Sequence, residues 1–141
     1  MKAFACLILL LCAACAGGPK VPAPPLGDVS LQIDHIEGST PLALSKWEAD
    51  NPKAVILALH GFGDYAPSTF AKAAPYWAER EITVYAYDQR GHGRNDGNRV
   101  WPGAETLIAD TAAITMEVRT VHPNLPVYLL GHSMGGGVAL A

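Results

Sequence analysis

Ser133 stands in the run Gly-His-Ser-Met-Gly, Gly131 to Gly135, with an apolar stretch before it and small residues after it. A serine with glycine at both second neighbours suits a sharp strand-to-helix bend that lifts its hydroxyl clear of a sheet. A Cβ at either glycine would collide with the adjoining strand or helix. A hydroxyl raised in this way can attack a carbonyl carbon, which makes Ser133 the candidate nucleophile of an acyl-transfer reaction. The oxygen that turns negative in such a reaction has to be met by backbone N–H groups. One is expected from the residue after the nucleophile, Met134, and the other from an earlier strand-to-helix loop. The run His-Gly-Phe-Gly-Asp at 60–64 fits that loop, with Phe62 as the donor and Gly61 and Gly63 permitting the tight turn.

A serine hydroxyl is a weak nucleophile at neutral pH unless a base takes its proton. In this arrangement an acid and then a histidine follow the serine along the chain. After Ser133 the sequence reads Met-Gly-Gly-Gly-Val-Ala-Leu-Ala, with neither. The five histidines, His35, His60, His92, His122 and His132, all precede the serine or adjoin it. His132 should leave the bend in another direction, and His60 reads as a packed structural residue at a strand end. No His, Asp or Glu group shows metal-ligand spacing, so no metal and no cofactor is expected.

The elements that would hold these groups follow from periodicity. Continuous apolar runs at 54–59, 82–88 and 127–130 suit strands buried on both faces. Between the last two, Leu107, Thr111, Ile114, Val118 and Val121 recur at steps of four and three, one face of a helix over 105–122 that Pro123 stops. The segment 68–81 carries helical spacing with Ser68 as N-cap, although Pro75 argues against one unbroken helix. Runs before residue 50, from 29 to 38 and from 41 to 49, alternate apolar and polar residues and predict an antiparallel hairpin. The fold expected is therefore α/β: a hairpin, then parallel βαβαβ, the bend at Ser133 and the start of another helix.

The runs "HGFGDY", "YDQRGHGRN" and "GHSMGGG", in that order, resemble the α/β-hydrolase superfamily, and within it the monoacylglycerol lipase, lysophospholipase and serine aminopeptidase-like branch. The resemblance extends from about residue 33 to the end. It implies Ser133 as nucleophile, Phe62 and Met134 as oxyanion-hole donors, Gly131 and Gly135 as elbow glycines, and a carboxylic ester as substrate, of an acylglycerol, a lysophospholipid or a small alcohol. Asp88, Arg90, Gly91 and Gly93 match a loop that shapes the sheet edge without taking part in catalysis. A peptidase removing N-terminal residues, or a non-catalytic envelope binding module on the same fold, remains compatible with these motifs. By the same resemblance the chain is expected to be the N-terminal half of a longer enzyme, inactive by itself, with the acid and base of its triad in the other half.

Composition bounds the partners. With a net charge of −3, 16% charged residues and no Lys/Arg run, the chain lacks the clustered positive charge of a nucleic-acid groove. Cys6, Cys12 and Cys15 all fall in the first fifteen residues, which leaves no disulfide framework for the body. Lys2, the apolar run behind it and the small residues that follow have the layout of an export signal over 1–14. The ending "LCAAC" resembles a bacterial lipobox in which Cys15 is lipidated, with Cys12 where leucine usually stands. Cleavage near Ala14 or Ala16 without lipidation, or an uncleaved anchor, fits the same layout. Residues 15–28, rich in Pro and Gly, cannot build a core and read as a tether, followed by the hydrolase domain at 29–141. The location expected is the bacterial cell envelope, on a membrane reached through a lipid anchor.

Overall fold

A computed structural model describes residues 41–97 and 99–141. The export signal, the tether, Cys15 and the first strand expected of the hairpin lie outside the described residues. Four strands form one sheet in the order β1-β3-β2-β4: β1 (Leu44–Trp47), β2 (Ala54–Leu59), β3 (Ile82–Tyr87) and β4 (Val127–Gly131). β2 lies between β3 and β4 and runs parallel to both, while β1 joins the outer edge of β3 in the antiparallel sense. The second run of the expected hairpin thus pairs with β3 among the described residues, Leu44 opposite Tyr87 and Trp47 opposite Val84.

The first two apolar runs form buried strands because both faces of the sheet are covered there, and the two-residue period of a strand divides each run between them. The run at 127–130 departs from the expected burial on both faces: among the described residues β4 is an edge strand with Tyr128, Leu129 and Leu130 exposed. Val55, Leu57, Leu59, Tyr85 and Tyr87 point to one face, where α3 (Ala104–Val121) lays Leu107, Ile114 and Val118 against them. Ala58, Val84 and Ala86 point to the other, against Ala66, Phe70 and Ala74 of α1 (Ala66–Phe70) and α2 (Ala73–Ala78). Small side chains at 58 and 86 let the short helices approach the sheet closely. A last helix, α4 (Met134–Ala139), follows β4.

Within the helices, the expectations change at Ser68 and at Val121. The segment around 68–81 forms two short helices, in line with the argument from Pro75 against one unbroken helix. Pro67 and Pro75 each lie in the first turn of a helix, where their missing N–H breaks no bond. Ser68 lies inside α1 and is not its N-cap. The first N–H of α1, that of Ala66, donates instead to Asp88 Oδ1 from the far end of β3, 2.9 Å away. Val121 is the other departure: it ends the apolar stripe of α3 but is 56% exposed. Asp110, which the apolar stripe does not include, is buried on α3, where Arg90 grips it with two hydrogen bonds of 2.9 and 2.8 Å.

The loop after β3 is built around Asp88. This fully buried carboxylate accepts from Ala66 N, from Arg94 N and Nε at 2.8 Å each, and from Arg94 Nη2 at 3.1 Å. Asn95 closes the loop, donating to the backbone oxygen of Asp88 at 2.6 Å and accepting from Ala43 N at 2.7 Å. Gly93, at φ +62°, passes so close that a Cβ there would sit 2.3 Å from Asp88 Oδ2. Replacing Asp88 with Ala strands the buried Ala66 N–H and the Arg94 contacts. In the full-length protein, urea unfolding of Asp88→Ala is expected to show a loss of about 1–3 kcal/mol.

Candidate active site

Three strand ends meet at the carboxyl edge of the sheet. The turn after β4 carries Ser133, with φ 53° and ψ −115°. A positive φ is strained for any residue with a Cβ, and it persists only where the surroundings over-determine it. They do so here by excluding side chains on both sides of the serine. A Cβ on Gly131 would lie 2.3 Å from Gly135 O and from Gly136 N. One on Gly135 would lie 2.3 Å from Leu59 O and 2.7 Å from His60 O. Bonds from His132 N to Leu59 O (2.9 Å), Gly135 N to His132 O (2.9 Å) and Gly136 N to Ser133 O (2.9 Å) lock the turn onto the end of β2. The Ser133 side chain is left exposed.

The loop after β2 lies against this turn. A Cβ on Gly61 would be 3.4 Å from Ser133 Cβ and 3.1 Å from His132 Nδ1, so the backbone of this loop passes close to the serine turn. Phe62 follows, its ring 74% exposed. Among the described residues, no hydrogen bond is made by the amide N–H of Phe62 or of Met134. The structure thus brings together Ser133, Gly131, Gly135, Met134 and the Gly61–Phe62 peptide, and it places Cys15 outside the described residues.

His60 is fully buried beneath the loop. Its Nε2 lies 2.8 Å from Gln89 N, and its Nδ1 lies 2.7 Å from Gly61 O. A backbone N–H can only donate, so Nε2 accepts, the proton sits on Nδ1, and Nδ1–H donates to Gly61 O. Gln89 Nε2 returns a 2.6 Å bond to His60 O, tying the β2 and β3 loops together. This is the packed, hydrogen-bonded role expected of His60. His92, which the sequence places in a polar loop, is a packing residue as well. Its ring meets His60 edge-on at 5.5 Å between centroids and Phe62 at 5.4 Å. His132 is exposed on the elbow.

Sequence reasoning missed the wall beside the serine loop. A pocket of ≈ 700 Å³ opens between the loops after β2 and β3, lined by Phe62, Tyr65, His92, Val100 and Trp101 among others. Trp101 comes within 6.3 Å of the Phe62 ring, centroid to centroid. The signal available was the apolar pair Val100 and Trp101 inside an otherwise polar, Gly-rich loop. Among the described residues, no group of three or more His, Cys, Asp or Glu side chains is placed to hold a metal ion.

The family model described as serine aminopeptidase, S33, matches residues 50–141. A monoacylglycerol lipase of Mycolicibacterium smegmatis is 33% identical over 112 residues, covering 74% of this chain and 38% of that protein. The monoglyceride lipase of Homo sapiens is 34% identical over 90 residues, covering 63% of this chain and 29% of that protein. The chain thus spans well under half the length of these curated relatives. Among solved structures, a thermostable carboxyl esterase from Bacillus coagulans superimposes with a TM-score of 0.67 at 23% identity, over 77% of this chain and 37% of that one. At that identity the likeness is one of fold, and it covers the N-terminal part of an α/β-hydrolase.

Burial holds the pKa of His60 below its ordinary 6.5. His122, under Tyr85, is lowered in the same direction by burial and by Lys46. Below that ordinary value the unfolded chain binds protons that the folded one refuses, so these groups contribute stability above it that is lost as pH falls toward their folded values. The urea midpoint of the full-length protein is expected to fall between pH 7.5 and pH 5.5 as these histidines protonate on unfolding.

Proposed function

The chain belongs to the serine aminopeptidase S33 family, and from that premise we propose that the protein is a serine ester hydrolase of the monoacylglycerol lipase type. Its substrates are carboxylic esters: acylglycerols, lysophospholipids or small esters. One observation carries this reading: a serine held at positive φ on a strand-to-helix turn, its side chain exposed, with the Gly61–Phe62 peptide packed against it.

Ser133 Oγ attacks the ester carbonyl carbon while a histidine removes its proton. The carbonyl π electrons move onto oxygen, and the N–H groups of Phe62 and Met134 receive that charge. The tetrahedral species collapses, the C–O bond to the alcohol breaks, and the alcohol leaves with the histidine's proton. Water, deprotonated by the same histidine, then attacks the acyl-enzyme and frees the acid and Ser133. The proposal assigns that histidine and its acidic partner to a part of the fold beyond the region matched here, since the curated relatives are far longer than the matched segment. The apolar pocket beside Phe62 offers room for the non-polar part of such an ester. Lipase and esterase relatives favour an ester over a peptide.

Export and lipidation of Cys15 belong to the same proposal, because an acylglycerol partitions into membranes and a tethered domain meets it there. Cys15→Ser is expected to move the full-length protein from the membrane fraction to the soluble one, and a variant that stays on the membrane contradicts the anchor. For the chemistry, hydrolysis of p-nitrophenyl butyrate and of a monoacylglycerol by the full-length protein is compared with Ser133→Ala. Turnover is expected to fall by about 10³-fold or more with the melting temperature retained. Equal turnover in the two proteins refutes the reading.

A further inference from the structure

The Gly61–Phe62 peptide is held from behind. Gly61 O and Phe62 N–H belong to one planar trans unit and point in opposite directions. His60 Nδ1–H grips that carbonyl at 2.7 Å, and the imidazole beneath is fully buried. Gln89 N–H fixes the ring from its other nitrogen at 2.8 Å, so the ring cannot flip without breaking both bonds. With the carbonyl drawn down onto the ring, the N–H of Phe62 faces away from the ring and makes no hydrogen bond among the described residues, while Gly61 itself lies close to Ser133. A second bond on the same oxygen, from Asp64 N at 3.3 Å, closes the turn around it.

We propose that His60 is a positioning residue: its Nδ1–H, by holding the Gly61 carbonyl, aims the Phe62 amide at the oxyanion of the ester reaction. The inference rests on the ester-hydrolase reading above and adds the group that orients the hole. Only a neutral imidazole with its proton on Nδ1 can do this. A protonated ring would turn Nε2 into a donor facing the Gln89 N–H, and the clamp on the ring would open. The titratable groups that bear on the ring are Asp88 at the end of β3, His92 in the loop after it and Asp64 in the loop after β2. The two carboxylates favour the charged ring. Burial and His92 oppose it, and the neutral form prevails.

His60→Asn and His60→Gln in the full-length protein separate the two ring nitrogens. The shorter amide keeps an N–H near the place of Nδ1. The longer one reaches the place of Nε2 and leaves Gly61 O with only the 3.3 Å bond from Asp64 N. With p-nitrophenyl butyrate, His60→Asn is expected to keep kcat within about fivefold of the parent and His60→Gln to lose about 10²-fold in kcat at nearly constant KM. Equal losses in both variants, or an unchanged kcat in His60→Gln, overturn the proposal. If His60→Gln does not fold, His60→Asn decides, and a folded protein with kcat down about 10²-fold refutes the assignment. A parent without Ser133-dependent turnover would sink the ester-hydrolase reading instead. The ring's ¹⁵N spectrum then tests the geometry on its own. A neutral imidazole protonated on Nδ1 at pH 7 upholds the clamp, and the Nε2 tautomer refutes it.

Discussion

Gly135 has no space for a side chain, because the first turn of α4 rests on the backbone oxygens of Leu59 and His60. That contact between the start of a helix and the end of a neighbouring strand governs the rest of the site. It forces the turn after β4 to be tight enough that Ser133 takes a positive φ, and it fixes the turn against β2 through the bond from His132 N to Leu59 O. It also sets the height of the loop after β2, whose Gly61 passes close to the serine. Two elbow glycines and one strained serine are thus a single steric solution to bringing two parallel strand ends and a helix into backbone contact.

The sheet supplies the rigidity that this solution requires. β2 is hydrogen-bonded on both edges, to β3 and to β4, and its side chains are shared between α3 on one face and α1 with α2 on the other. Its last residue therefore has little freedom, and the turn that carries the strain at Ser133 rests on an interior strand of the sheet. Behind it the loop after β3 acts as a polar brace. Asp88 gathers Arg94 and the first amide of α1, and Arg90 clasps Asp110 on α3. The brace and the clamp on His60 meet at residues 88 and 89. The serine loop and the layers of the fold are in this way held by one connected set of bonds.

Much of this was legible in the sequence, for identifiable reasons. The runs at 54–59, 82–88 and 127–130 are short and apolar, as strands are, and the structure places β2, β3 and β4 there within a residue, although β4 is exposed where burial on both faces was expected. The stripe from Leu107 to Val118 gave α3 because four side chains repeat on one face. The elbow was legible because a serine with glycine at both second neighbours directly follows an apolar strand run and precedes small residues that open a helix. What escaped depended on contacts between distant segments. The cap of α1 comes from Asp88, 22 residues away, so local sequence pointed wrongly to Ser68. The pairing of β1 with β3 is likewise non-local, since an alternating strand near a turn looks the same whichever neighbour it joins. The burial of Asp110 on α3 goes with its pairing to Arg90, 20 residues earlier in the chain. The wall of Val100 and Trp101 beside Phe62 is formed by a loop whose path depends on Gly91 at positive φ, packed under Val100 O.

The central proposal is geometric: that Ser133 Oγ carries the acyl group while the amides of Phe62 and Met134 hold the oxyanion. A crystal structure of the full-length protein after reaction with a fluorophosphonate tests it most directly, since the tetrahedral phosphorus carries an oxygen where the oxyanion would form. The account predicts phosphorus bonded to Ser133 Oγ and that oxygen about 2.7–3.1 Å from both amide nitrogens. An adduct on another residue, or a phosphoryl oxygen turned to solvent with the Phe62 amide aimed elsewhere, would contradict it.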